Sequence, residues 1–113
     1  MDQALAELTR AETQFPTNAS LAFELGKVHE ERRELQKALD AYRRSLSIHP
    51  EQPEANRRAG LLLKELKAYR EAEEMLERAA ELDPRDPNVL HQLAAVRALL
   101  LVHGGVPESA VTP

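Results

Sequence analysis

Residues 38–60 read ALDAYRRSLSIHPEQPEANRRAG. The first half of this stretch has the spacing of a helix and the second half the chemistry of a junction. Ala38, Ala41, Tyr42, Ser45, Leu46 and Ile48 recur at three- and four-residue steps with charges between them, as on an amphipathic helix. Pro50 cannot continue that helix. Pro53 suits the first position of the next one, where its missing N–H would have had no helical partner anyway. Working outward, prolines stand at 16, 50 and 84, a constant step of 34 residues. In the same register Ala4, Ala38 and Ala72 align, as do Leu8, Tyr42 and Leu76, and Ala11, Ser45 and Ala79. A second set joins Leu25, Ala59 and Leu93, then Gly26, Gly60 and Ala94, then Val28, Leu62 and Val96. Self-similarity at such a period marks stacked repeats.

The periodicity predicts six helices, near 2–14, 19–31, 35–48, 53–66, 69–82 and 87–102. No segment alternates with period two over strand length, so no sheet is expected. Asn18, Gln52 and Asp86 precede helix starts, Asn18 and Asp86 with side chains suited to capping. Small residues at Gly26, Gly60 and Ala94, and at Ala38 and Ala72, let antiparallel helices approach closely. The organisation is a half repeat over 1–17, full repeats over 18–51 and 52–85, and a terminal helix over 86–103. The tail 104–113, GGVPESAVTP, lacks helical periodicity and is expected to be flexible. The fold class is all-α, a solenoid of antiparallel helix pairs in which each pair needs its neighbours to bury its faces.

With 113 residues, 42% hydrophobic and 30% charged, the chain can build one small core. A net charge of −4 gives no bulk footprint for nucleic acid or anionic membrane. The absence of cysteine excludes disulfides and thiolate zinc sites. The longest apolar run, Leu99 to Val102, is too short to span a bilayer, and the opening Met1-Asp2-Gln3 is not a signal peptide. A soluble, cytoplasmic chain is the expectation.

The unit Leu25-Gly26, Ala38, Tyr42, Ser45, Pro50, followed by Ala59-Gly60, Ala72, Leu76, Ala79, Pro84, resembles the tetratricopeptide repeat. The resemblance covers residues 2 to about 102. It departs from the family at Ala22, Asn56 and Leu90, where an aromatic is frequent, and at His29 and Leu63, where the family has Tyr. It implies a right-handed superhelix whose first helices line a concave groove for a peptide or partner helix. Carried across by register, that face holds Ser20, Phe23, Glu24 and Lys27, then Glu54, Arg57, Arg58, Leu61 and Lys64, then Asn88, His91, Gln92, Ala95 and Leu99. The carboxylate clamp of the chaperone-binding members falls here on Phe23, Lys27, Arg58, Asn88 and Gln92, which does not reproduce it. The candidate partner-binding residues are Phe23, Lys27, Arg57, Arg58, Leu61, His91 and Gln92. Lys27, Arg57 and Arg58 could grip a carboxylate, while Phe23 could anchor an apolar side chain or belong to the core. Arg57 and Arg58 could equally pair with Glu24 and Glu54 at the surface.

Catalytic chemistry is not indicated. His29-Glu30-Glu31-Arg32-Arg33 starts like a zinc-protease motif, but Arg33 replaces the second ligand. His29, His49, His91 and His103 have no repeated ligand spacing. Glu71, Glu73, Glu74 and Glu77 are interleaved with Arg70 and Arg78, as expected of ion pairs along a solvated helix face. Gly104-Gly105 is not a phosphate loop. No metal, cofactor or enzyme activity is expected. Two readings remain: a protein-interaction module that binds a peptide, with an acidic or C-terminal carboxylate group, in its groove; or a scaffold that self-associates through the faces of 2–14 and 87–102. Val89, Leu90, Leu93, Val96, Leu99, Leu100, Leu101 and Val102 make the last helix apolar on more than one stripe.

Overall fold

A computed structural model of the chain describes residues 2–103. The helices are α1 (Asp2–Gln14), α2 (Ala19–Glu31), α3 (Leu35–Ile48), α4 (Pro53–Glu65), α5 (Tyr69–Leu82) and α6 (Pro87–His103). The tail expected over 104–113 lies outside the described residues.

The side-chain caps expected at Asn18 and Asp86 form, whereas α3, α4 and α5 start without one. Asn18 Oδ1 accepts the Leu21 N–H at 3.2 Å, and Asp86 Oδ1 accepts the Asn88 N–H at 2.9 Å. Gln52 occupies the N-cap position of α4 but makes no capping bond. Its amide turns back instead, donating to the carbonyls of Ser45 at 3.1 Å and His49 at 2.7 Å. Pro53 then starts the helix without a side-chain cap. The turns α2–α3 and α4–α5 are the same turn one repeat apart. Arg33 (φ 59°) and Lys67 (φ 65°) both adopt the left-handed conformation. Glu34 donates its N–H to His29 O at 2.9 Å and Ala68 to Leu63 O at 2.8 Å, closing each helix end.

Packing is closest within the pairs α2–α3 and α4–α5, with α1 against α2, α3 against α4, and α5 against α6. The resulting stack is 52 Å long and 29 × 21 Å across. The closest approach is where glycine stands. A Cβ on Gly60 would lie 2.8 Å from Leu76 Cγ and 3.4 Å from the Ala72 carbonyl, and one on Gly26 would enter the Tyr42 ring. Ala38, Tyr42, Ala59, Leu62, Ala72 and Leu76 are all buried around these crossings. The terminal helices differ from the inner ones. Ala4 and Ala94, at the register positions of Ala38 and Gly60, are exposed.

Glu71, Glu73 and Glu77 of α5 pair with neighbouring helices. Glu71 meets Arg43 of α3 at 2.8 Å, while Glu73 and Glu77 meet Arg97 of α6 at 3.0 and 2.8 Å. Arg44 reaches Glu12 of α1 at 2.8 Å. Stacked helices put an opposite charge within side-chain reach on either side, and long arginines span that gap.

Gly60→Leu is expected to destabilise the fold by about 1–3 kcal/mol in chemical denaturation, because the side chain must enter space filled by Leu76. Lys67→Gly should act oppositely, stabilising by roughly 0.5–1 kcal/mol through relief of the left-handed backbone. A lowered denaturation midpoint for the glycine variant would contradict that account.

Candidate functional site

The face formed by α2, α4 and α6 is tied together by polar bridges between successive first helices. Arg58 Nη1 of α4 donates to Glu30 Oε1 of α2 at 3.2 Å. Lys64 Nζ of α4 donates to Gln92 Oε1 of α6 at 2.9 Å. Arg58 also donates from Nε to Glu54 Oε2 at 2.9 Å, and Arg57 approaches the same carboxylate at 3.8 Å, beyond hydrogen-bond range.

This arrangement is rooted in the core. Tyr42, fully buried on α3, donates its hydroxyl to Glu30 Oε1 at 2.6 Å, so one carboxylate oxygen accepts both from the core phenol and from Arg58. Burial pushes the Tyr42 phenol above its ordinary value, and the bond to Glu30 adds to the shift. For Arg58, burial works to lower the pKa, yet its bond to the Glu54 carboxylate and the surrounding charges outweigh it and hold the guanidinium above its ordinary value. Arg58 is thus a fixed cation.

The candidate residues fall into separate neighbourhoods. Phe23 is half-buried against the core, with its ring centroid 5.6 Å from that of Tyr42. Lys27 Nζ lies 5.3 Å over the Phe23 ring and 3.3 Å from Glu24. Lys27 and Arg58 share a hollow of about 280 Å³ with Glu30, Glu31 and Arg33. Arg57 does not join it. It lines a different hollow, of about 200 Å³, with Pro53, Glu54, Asp83, Asp86 and Val89. Leu61 is half-buried, His91 exposed, and Gln92 is drawn to Lys64. The adjacent arginines therefore serve different neighbours. A larger cleft of about 530 Å³, between the C-terminal ends of α3 and α5, is lined by Leu46, Pro50, Arg78 and Leu82 among others and includes none of the candidates.

Sequence reasoning missed the Tyr42–Glu30 link, which has no local signal because its partners are 12 residues apart on different helices. It also missed the polar clasp on the α3–α4 junction. Asn56 Nδ2 donates to Pro50 O at 3.1 Å and Gln52 O at 2.8 Å, and Ser45 Oγ donates to Ala19 O at 2.8 Å. Asn56 is buried where the register has Ala22 and Leu90, and that departure was the available clue. Among the described residues, no group of three or more His, Asp or Glu could hold a metal ion. No helix among them is long and apolar enough to cross a membrane.

The family model described as tetratricopeptide repeat matches residues 25–101. The chain belongs to the tetratricopeptide-repeat family. No curated protein matches it significantly in sequence. Among solved structures, the first tetratricopeptide domain of Spaghetti (RPAP3), bound to the HSP90 peptide SRMEEVD, is similar at 20% identity and a TM-score of 0.83, with 88% of this chain and 79% of that one covered. MamA is similar at 19% identity and 0.85, covering 90% and 60%. The Arabidopsis OM64 tetratricopeptide domain follows at 22% and 0.79, covering 86% and 80%. At these identities the likeness is one of fold, the fold of a protein–protein interaction module.

Tyr42→Phe removes the phenol that Glu30 accepts from and should cost about 1–3 kcal/mol at neutral pH. Because the folded-state pKa is raised, the phenol's contribution is fully present below its ordinary value of 10.0 and is lost as pH rises through the raised one. Denaturation midpoints followed above pH 10 should therefore fall less steeply in Tyr42→Phe than in wild type.

Proposed function

We propose that residues 1–103 act as one interaction domain whose α2–α4–α6 face captures an extended acidic segment of a partner protein. The observation that carries this reading is the cationic centre of the face: Arg58 reaches toward α2, Lys64 toward α6, and Arg57 stands between α4 and the α5–α6 junction. Lys64 is bridged by a neutral amide, and Arg57 is not hydrogen-bonded to its nearest carboxylate, so both retain charge to offer a ligand. Phe23 and Leu61, half-buried on the same helices, offer apolar contact beside that charge. The acidic SRMEEVD peptide held by the similar Spaghetti domain is a ligand of the chemistry expected. The clamp positions differ here, Phe23 standing among them, so the contact with an incoming carboxylate passes to Arg57 and Lys64.

The test is fluorescence anisotropy with labelled SRMEEVD, its C-terminally amidated form, and a version with Gln and Asn in place of the acids. The acidic peptide is expected to bind in a salt-sensitive way. Replacing both Arg57→Ala and Arg58→Ala should weaken it about tenfold or more. Equal binding by the double variant, or by the uncharged peptide, overturns the reading.

A further inference from the structure

Successive second helices are bridged by arginines, and the 34-residue register makes the α3–α5 seam a copy of the α1–α3 seam. At the α1–α3 seam Arg44 grips both oxygens of Glu12, donating from Nε at 2.8 Å and from Nη2 at 3.1 Å. At the α3–α5 seam Arg78 holds the place of Arg44, but Leu46 holds that of Glu12, so the cation has lost its acceptor. Both residues line the cleft of about 530 Å³ between the C-terminal ends of α3 and α5. Pro50 and Leu82 extend its apolar lining, Leu82 being 38% exposed. Glu51 and Glu81 also line it, where the earlier seam has Thr17 and Ser47. Among the described residues, Arg78, Glu51 and Glu81 form no hydrogen bond or ion pair. Elsewhere the same seam is closed, Arg43 meeting Glu71 at 2.8 Å. The cleft is internal to the stack, since α3 and α5 both pack against α4.

We propose that this cleft is a second docking site, for a partner-protein segment that lays apolar side chains on Leu46, Pro50 and Leu82, sets an acidic residue against Arg78 and sets a basic one against Glu51 and Glu81. The acidic residue takes the part that Glu12 plays for Arg44 one repeat earlier. Charge complementarity selects this occupant. A purely acidic segment would meet two carboxylates, and a purely basic one would meet Arg78, whereas a segment carrying one charge of each sign answers all three. The volume is in the range of sites that enclose a small ligand or a few side chains. The site uses second helices and the α3–α4 junction and none of the residues of the α2–α4–α6 face, so the domain can hold two segments at once. It stands or falls independently of the groove reading.

The test is amide NMR of the isotope-labelled 113-residue chain, titrated to roughly 10 mM with the peptide acetyl-Glu-Leu-Leu-Lys-amide and with its forms carrying Gln for Glu, for Lys, or for both. The parent peptide should move the amide resonances of Leu46, Ser47, Glu81 and Leu82 along one saturating curve. Gln for Glu should weaken binding about threefold or more to the wild-type chain but not to Arg78→Ala. Gln for Lys should do the same to the wild-type chain but not to a chain carrying Glu51→Gln and Glu81→Gln. All three positions are exposed and unbonded, so these variants keep the fold. The absence of saturating shifts in the cleft overturns the proposal, as do losses equal in variant and wild-type chains. A doubly Gln-substituted peptide that binds as well as the parent also overturns it, since apolar contact alone would then account for binding. So do cleft resonances that move when the free protein is diluted, because a second copy of the chain would then be the occupant.

Discussion

The rest of the structure depends on how closely the helices of a pair approach, and that approach is set by the absence of a side chain at Gly26 and Gly60. At each crossing a large side chain of the second helix, Tyr42 or Leu76, takes the space that a Cβ would need. Close approach buries Ala38, Ala59 and Ala72 completely, so small residues contribute to the core as fully as leucines do. It also fixes the spacing between successive first helices, and with it the reach that arginine and lysine need to bridge them.

The same crossing connects the core to the α2–α4–α6 face. Tyr42 fills the space beside Gly26 with its ring and holds Glu30 with its hydroxyl, and Glu30 in turn holds Arg58. Arg58, a candidate binding residue by sequence, bridges α2 and α4 in the fold. Arg57 and Lys64 are less fully compensated, and the proposed acidic ligand would meet its charge there. The face is a patterned arrangement of compensated and available charge.

At its two ends the stack uses the same packing logic with one partner missing among the described residues. Ala4 and Ala94 are chemically suited to the crossings that bury Ala38 and Gly60, yet both are exposed. A repeat protein stabilised by nearest-neighbour contacts has this property at any unpaired end.

The 34-residue register, the six helices and the glycine crossings follow from sequence alone, because they depend on side-chain size and spacing along one chain. Asn18 and Asp86 cap as their chemistry dictates for the same reason, since the N–H groups they meet are two or three residues away. Other features needed the fold. No glycine announced the left-handed turns at Arg33 and Lys67; the closing helix pair imposes them. The interhelical pairs Arg43–Glu71 and Arg97–Glu73, the return of Gln52 onto its own junction, and the parting of Arg57 from Arg58 depend on which helices become neighbours. Periodicity encodes which face of a helix is buried. Which opposite charge comes within reach of a long side chain on the exposed face is decided by helices distant in sequence, once they have stacked.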